Sequence, residues 1–207
     1  MSKTSIAALF VLIIIVILIF TKDYSNTKQY PRLKDNAVIL SFGDSLTYGF
    51  GAEYGFSYPD YLEKKISLRV INEGINGELS SEGLLRLPLL LEQKPDLVIL
   101  CHGGNDILNK LSSVELKNNL IKMIELIRRS GSEVILIGVP EFSVFGFAVH
   151  NLYKEVADEL EVILEDNSLT HIELNRNLKS DYVHPNEKGY EFMADSIVEV
   201  LKKNNMI

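Results

Sequence analysis

The chain contains only one cysteine, Cys101, among its 207 residues. A single thiol cannot form an intrachain disulfide, and it cannot supply the thiolate set of a structural zinc site. The sequence also lacks the G-x-x-x-x-G-K-[ST] and G-x-G-x-x-G elements that hold nucleotide cofactors. It has no internal repeat and no low-complexity tract. Thiolate zinc sites, nucleotide cofactors and repeat architectures therefore have no support.

Positive charge is scarce relative to negative charge, since 21 Lys and Arg residues stand against 28 Asp and Glu residues. The formal net charge of −7 would repel phosphate, so nucleic acid is not an expected partner. The length suits one domain with its own hydrophobic core and leaves no room for a second. The sequence leaves the oligomeric state open.

An unbroken apolar run from Ile6 to Phe20 follows Lys3. With its short polar flanks it would reach about 27 Å as a helix, close to the thickness of a bilayer core. The run has no polar face and does not end in the small residues of a cleavage site. We expect residues 1–22 to be an uncleaved signal anchor that holds the protein outside the cytoplasm, with a cleaved signal and secretion as the alternative. Residues 23–36 are polar and predict a tether to a domain spanning residues 37–207.

Short apolar runs separated by helical patterns predict the fold class. The runs predicted to be strands are Ala37–Phe42, Leu68–Ile71, Asp96–Cys101, Glu133–Val139 and Thr170–Leu174. The helical patterns are Ser80–Glu92, Leu116–Ile127 after a capping box at Ser112, Leu152–Ile163, and Tyr190–Leu201. We expect Pro88 to kink or divide the first helical region and Pro185 to open the last. The alternation predicts an α/β fold in three layers, with a doubly wound, mainly parallel sheet of about five strands.

Ser45 follows the first predicted strand in the segment Gly43-Asp44-Ser45, where a glycine allows a sharp turn. Ligands of such folds bind at the carboxyl ends of the strands, so the hydroxyl is placed to act as a nucleophile if a base lies nearby. Near the C-terminus, Asp181 stands three residues before His184, a spacing at which a carboxylate can orient an imidazole. The alternatives are a helix cap for Ser45 and a surface turn for the Asp-x-x-His segment.

Two further loops fall at the same predicted sheet edge. Gly77 lies in the loop after the second strand, and Asn105 lies in Gly103-Gly104-Asn105-Asp106 after the third. Backbone N–H groups and a side-chain amide are suitable donors for the oxyanion of a tetrahedral intermediate. Ordinary glycine turns are the alternative for each loop taken alone.

Taken together, these blocks resemble the GDSL or SGNH hydrolase family, specifically its branch of bacterial lysophospholipase, thioesterase and arylesterase enzymes. The matching segments are FGDSLTYGFGA, NEGINGELSSEGL, GGND and the final D-x-x-H-P, and the resemblance covers about Val38–Leu201. It implies the flavodoxin-like SGNH hydrolase fold. It also implies a triad of Ser45, His184 and Asp181, with an oxyanion hole formed by Ser45, Gly77 and Asn105.

The resemblance further implies hydrolysis of carboxylic esters or thioesters of small acyl or lysolipid substrates, without a metal or cofactor. An O-acetylesterase of cell-envelope carbohydrate is an alternative, and a noncatalytic membrane-tethered binding module is a third reading. We expect Phe142, Phe145 and Phe147 to wall the acyl site if their loop faces it. His102, at a strand end, is the rival to His184 as the base.

Overall fold

The computed structural model describes residues 29–143 and 146–207, and it describes side chains within residues 29–141 and 148–207. Residues Arg32–Ile207 form one compact unit. The Leu33 N–H donates to the Met206 carbonyl at 2.7 Å, so this unit is already tied together before the first strand begins. The anchor predicted for residues 1–22 lies outside the described residues. Within the described ranges, no helix has the length and apolar character needed to span a membrane.

Seven strands are present in the described ranges: β1 (Val38–Gly43), β2 (Arg69–Gly74), β3 (Leu97–Cys101), β4 (Glu133–Ile137), β5 (Pro140–Ser143), β6 (Gly146–Val149) and β7 (Ile163–Glu165). The helices in these ranges are α1 (Ser45–Tyr48), α2 (Tyr58–Ile66), α3 (Ser80–Leu91), α4 (Gly104–Leu108), α5 (Ser113–Arg129), α6 (Asn151–Leu160), α7 (Ser168–Leu174) and α8 (Glu187–Lys203). A 3₁₀ turn covers Arg176–Leu178.

The main sheet has five parallel strands in the order β2-β1-β3-β4-β7. Every residue of β3 is buried, so helices cover both faces of the sheet, as the α/β prediction requires. Gly43, the last residue of β1, pairs with Gly74 on β2 and with Cys101 on β3. The loops that leave these three strands therefore lie side by side at one edge of the sheet.

The fifth strand was predicted at the wrong place. Residues Thr170–Leu174 belong to helix α7, and the fifth strand is the short β7. In α7 the buried residues Leu169 and Ile172 are three apart, which is the helical spacing, while Leu174 is exposed. Ile163, which was predicted to continue the stripe of α6, lies in β7 instead because the helix ends in a left-handed residue at Glu161.

Pro88 does not divide its helix, and Pro185 does not act as expected. Helix α3 continues through Pro88, which lies on an exposed face where water can satisfy the freed carbonyl group. Pro185 does not open helix α8, because Asn186 is the N-cap and accepts a hydrogen bond from the Gly189 N–H at 3.1 Å. Ser112 caps α5 as predicted, since its hydroxyl accepts the Glu115 N–H at 3.3 Å.

Candidate active site

Ser45 is the first residue of α1, immediately beyond the end of β1. Gly43 makes the close approach to β3 possible, because a Cβ at this position would lie 2.0 Å from the Cys101 carbonyl oxygen. Asp44 caps the helix by accepting the Leu46 N–H on Oδ1 at 3.0 Å, and its carboxyl is buried. Burial raises the pKa of Asp44, although nearby His102 and the Leu46 N–H act in the opposite direction. Asp44 thus fixes the turn that presents the serine.

The structure brings Ser45 and the Asp-x-x-His segment together across 139 positions of sequence. Ser45 Oγ lies 3.0 Å from His184 Nε2, and His184 Nδ1 lies 2.8 Å from Asp181 Oδ2. The segment closes into a turn because the Ser180 N–H donates to the His184 carbonyl at 2.9 Å. The three side chains form a continuous hydrogen-bonded line that ends at a hydroxyl group.

The protonation pattern of this line follows from Asp181. Partial burial raises its pKa, but the hydrogen bonds from the Val183 N–H, the imidazole and the His184 N–H outweigh it, so the pKa of Asp181 is lowered. An ionised carboxylate can only accept hydrogen bonds, so Nδ1 of His184 carries the proton. In the neutral imidazole, Nε2 is then free to accept the hydroxyl proton of Ser45, which is the role of a general base.

Phe50 contacts the imidazole, a contact that the sequence motifs did not reveal. Its ring centroid lies 4.5 Å from that of His184, with 45° between the ring planes. The Tyr190 hydroxyl donates to the Phe50 carbonyl at 2.7 Å and ties this segment to α8. The ring of Phe50 therefore limits the orientations open to His184.

His102, the rival base, is fully buried and uses both ring nitrogens elsewhere. Its Nδ1 accepts the Gly103 N–H at 3.2 Å, and its Nε2 lies 3.1 Å from Glu78 Oε2. The Ser45 hydroxyl contacts His184 instead. Of the remaining histidines, His150 caps α6 and His171 stacks on the ring of Phe192.

The proposed oxyanion donors lie on three segments that follow β1, β2 and β3 at this sheet edge. In the described part of the chain, neither the Ser45 N–H nor the Gly77 N–H donates a hydrogen bond. Gly77 has a φ of +78°, a left-handed conformation that favours glycine. Asn105 donates one amide hydrogen from Nδ2 to the Glu78 carbonyl at 3.0 Å, which leaves the second hydrogen for another acceptor.

A cleft of about 240 Å³ opens beside Ser45 and His184. Its described walls also include Asn105 but not Gly77. Most other lining side chains are apolar: Leu46, Ile107, Leu108, Val139, Pro140, Leu169, Tyr182 and Val183. Besides Asp44, the carboxylate residues Glu141 and Glu173 also line it. The cleft therefore offers an apolar trough with a nucleophile at one side.

The predicted aromatic wall belongs largely to a part of the chain that the structure does not describe. Phe142 and Phe147 face each other as backbone partners in the antiparallel hairpin of β5 and β6, but their side chains fall outside the described ones. Phe145 lies outside the described residues. Their contact with substrate stays a prediction. No group of three His, Cys, Asp or Glu side chains suited to a metal ion occurs within the described ranges.

The chain is similar to a known protein family and to individual known proteins. Residues 41–192 match the model of the GDSL-like Lipase/Acylhydrolase family. An arylesterase of Vibrio mimicus is 30% identical over 80% of this chain and 88% of its own length. Thioesterase 1/protease 1/lysophospholipase L1 of Escherichia coli (strain K12) is 28% identical over 79% of this chain and 83% of its own length. The psychrotrophic esterase EstA of Pseudoalteromonas sp., crystallised with monoethylphosphonate as inhibitor, superposes with a TM-score of 0.73 at 23% identity over 81% of this chain and 98% of its own, which shows a shared fold.

Proposed function

Because the chain belongs to the GDSL-like Lipase/Acylhydrolase family, we propose that Ser45, His184 and Asp181 are the catalytic triad with which it hydrolyses esters. The enzyme is a serine ester hydrolase. The observation that carries the assignment of residues is the line from Ser45 Oγ through His184 to Asp181, with contacts of 3.0 and 2.8 Å. These distances are those of a nucleophile and a general base within hydrogen-bond reach.

In the first half of the reaction, His184 Nε2 takes the Ser45 proton as Oγ attacks the carbonyl carbon of the ester. The carbonyl oxygen becomes an oxyanion, which the Ser45 and Gly77 N–H groups and the Asn105 amide bind. The bond to the leaving group then breaks, and His184 returns the proton to the departing oxygen or sulfur. The acyl group remains as an ester on Ser45.

In the second half, a water molecule takes the place of the leaving group. His184 removes a proton from it, the resulting hydroxide attacks the acyl carbon, and the tetrahedral intermediate again uses the same donors. Its collapse releases the carboxylic acid and returns the proton to Ser45. Asp181 stabilises the imidazolium in both halves and does not itself take the proton.

For the substrate, we propose carboxylic esters or thioesters with an apolar acyl chain, including lysolipids. The apolar walls of the cleft next to Ser45 support this proposal, because burying methylene groups against them favours binding. The names arylesterase and thioesterase/lysophospholipase of the two relatives point to the same substrate range.

Carbohydrate O-acetyl esters are the second candidate. The carboxylates of Glu141 and Glu173 line the cleft and are suitable acceptors for sugar hydroxyl groups. This reading predicts a strict preference for acetyl, while the first predicts acceptance of longer chains.

We also propose that the N-terminal apolar run anchors the enzyme in the membrane, with the catalytic domain outside the cytoplasm. The length of the run from Ile6 to Phe20 supports this placement, and so does the lack of an A-x-A cleavage site at its end.

The experiment that tests the function is hydrolysis of aryl, thio and lysolipid esters by the detergent-solubilised full chain and its Ser45→Ala variant. We expect the variant to keep its fold and lose nearly all turnover, because only the oxyanion donors and binding remain. Glu155→Gln, which removes one end of a surface ion pair with Lys117, serves as a control of unchanged activity. Equal turnover by the parent and Ser45→Ala would refute the proposal.

A further inference from the structure

Glu78, the residue after Gly77, is a buried carboxylate that has no role in the proposed triad. Its side chain is only 6% exposed. Arg86 on α3 grips it with two hydrogen bonds, from Nε to Oε1 at 2.8 Å and from Nη2 to Oε2 at 2.6 Å. His102 Nε2 lies 3.1 Å from Oε2. A planar guanidinium held in this bidentate way fixes both the position and the orientation of the carboxylate.

The hydrogen bonds in this cluster define the protonation state of His102 and of Glu78. Because Nδ1 of His102 accepts the Gly103 N–H, the ring hydrogen is on Nε2 and is donated to Glu78. Burial on its own raises the pKa of Glu78, but the hydrogen bonds from His102 and Arg86 outweigh it and lower the pKa to about 2. Glu78 is therefore ionised and fully hydrogen-bonded.

The cluster is also rigidly seated. Arg86 donates further to the Glu73 carbonyl at 3.1 Å, and its guanidinium lies 4.5 Å from the ring centroid of Phe42. Gly83 allows α3 to pass directly over the imidazole of His102, because a Cβ at this position would lie 2.3 Å from Nε2. The cluster thus joins α3, the end of β2 and the end of β3.

The main chain of Glu78 connects this cluster to the proposed oxyanion donors. Its carbonyl accepts a hydrogen bond from Asn105 Nδ2 at 3.0 Å, and its backbone N–H is part of the peptide bond that joins it to Gly77. We propose that Glu78, clamped by Arg86 and His102, is the positioning residue that sets both Gly77 and Asn105 for the oxyanion. The inference rests on the proposed function.

The physical reason is the narrow tolerance of an oxyanion hole. Its donors must lie about 2.7–3.1 Å from the oxygen of the tetrahedral intermediate, and a displacement of well under 1 Å weakens this contact. Gly77 lies on a loop and has no side chain of its own to hold it, so its position depends on its neighbours. Asn105 could rotate about its side-chain bonds, but the hydrogen bond to the Glu78 carbonyl selects one orientation. One clamped residue therefore controls two donors.

The test is a double-mutant cycle on kcat and KM with one short aryl ester. Glu78→Gln keeps the shape of the side chain but places a donor against Arg86 or His102, so we expect kcat to fall about 10- to 100-fold with KM within about twofold, as for weakened oxyanion donors. In the Asn105→Ala background, the same Glu78→Gln change should lower kcat by a clearly smaller factor than in the parent, because one of the two donors that Glu78 positions is already gone and only Gly77 remains to be displaced. Glu155→Gln is the matched control for removal of a paired glutamate, and it should leave both constants unchanged.

Arg86→Lys provides a second approach if Glu78→Gln does not fold. It keeps the charge but loses the bidentate geometry, so we expect a smaller fall in kcat than for Glu78→Gln, and this fall should shrink further in the Asn105→Ala background. Full kcat in Glu78→Gln would overturn the inference, and so would losses that multiply independently with Asn105→Ala. If Ser45→Ala still turns over the ester, the proposed function itself has failed, which separates the two results.

Discussion

Asp181 holds His184 from two directions at once. Its Oδ2 accepts the ring Nδ1–H at 2.8 Å, and its Oδ1 accepts the main-chain N–H of the same histidine, also at 2.8 Å. The Val183 N–H donates to Oδ1 as well, at 2.8 Å. A single carboxylate thus fixes the turn, the tautomer and the orientation of the imidazole.

Asp181→Asn should separate these roles. An amide cannot accept from the ring and from both backbone N–H groups at the same time, so either the turn or the tautomer is lost. We expect kcat to fall on the order of 10³- to 10⁴-fold, as expected when an imidazole is held in the wrong tautomer, with little change in KM. His171→Ala is the control, because it removes a histidine that stacks on Phe192 and does not line the cleft. A loss below tenfold in Asp181→Asn would show that the carboxylate does not orient the base.

The sequence was sufficient to predict a parallel sheet and four of its five strands, and to select three residues that the structure brings into hydrogen-bond contact, Ser45, His184 and Asp181. Ser45 and the Asp181–His184 pair could be found because each stands in a short motif at a predicted strand or helix end. The site they form depends on the parallel order of the strands, which the alternation of strands and helices already predicts.

The cluster around Glu78 could not be predicted in the same way. Arg86 contacts Glu78 from helix α3, and His102 contacts it from the residue after β3, so no short sequence motif contains all three. A weak signal did exist, since Glu78 directly follows a predicted donor and Arg86 lies on the helix that starts two residues later. The wrong position predicted for the fifth strand has a related cause. The pattern of apolar residues in Thr170–Leu174 is compatible with a strand and with a helix, and packing against the rest of the protein decides between them.

The apolar walls of the cleft should determine which acyl chain length the enzyme prefers. We expect kcat/KM to rise from acetyl toward medium-chain aryl esters. Each methylene buried in the cleft should stabilise the bound state by up to about 0.8 kcal/mol, which raises kcat/KM roughly fourfold. Leu108→Ala, on the cleft wall, should flatten this rise, and so should Phe145→Ala or Phe147→Ala if the hairpin faces the site. Leu111→Ala is the matched control, because it is also an exposed leucine but does not line the cleft. A strict preference for acetyl would instead favour the carbohydrate O-acetylesterase.

Acid should reveal the contribution of Glu78 to stability. Its folded pKa is about 2, below the ordinary value of 4.5, so the folded state binds fewer protons than the unfolded state between these values. The stabilisation is therefore fully present above about pH 4.5 and is lost as the pH falls toward 2. We expect the difference in urea midpoint between the parent and Glu78→Gln to decrease as the pH is lowered through this range. A gap independent of pH would show that the pKa of Glu78 is the same in the folded and unfolded states, so that the cluster does not stabilise its ionised form.

The proposed anchor makes a separate prediction about the cell. The full-length chain should sediment with membranes and resist carbonate extraction, because an apolar helix of this length is held by the bilayer core. Protease added outside the cytoplasmic membrane should release a domain of nearly full size. Recovery of a soluble protein that begins near Thr21 would favour a cleaved signal.

The most direct measurement of the central claim is the site of modification by a reactive phosphonate ester. Such a reagent is attacked like an ester and leaves a stable tetrahedral adduct on the activated nucleophile. Peptide mass spectrometry of the treated full-length chain should find one adduct, on Ser45, formed in step with the loss of activity. The rate of modification should fall sharply in His184→Ala and remain unchanged in Glu155→Gln. Complete inactivation with Ser45 unmodified, or an adduct on another residue, would contradict the account.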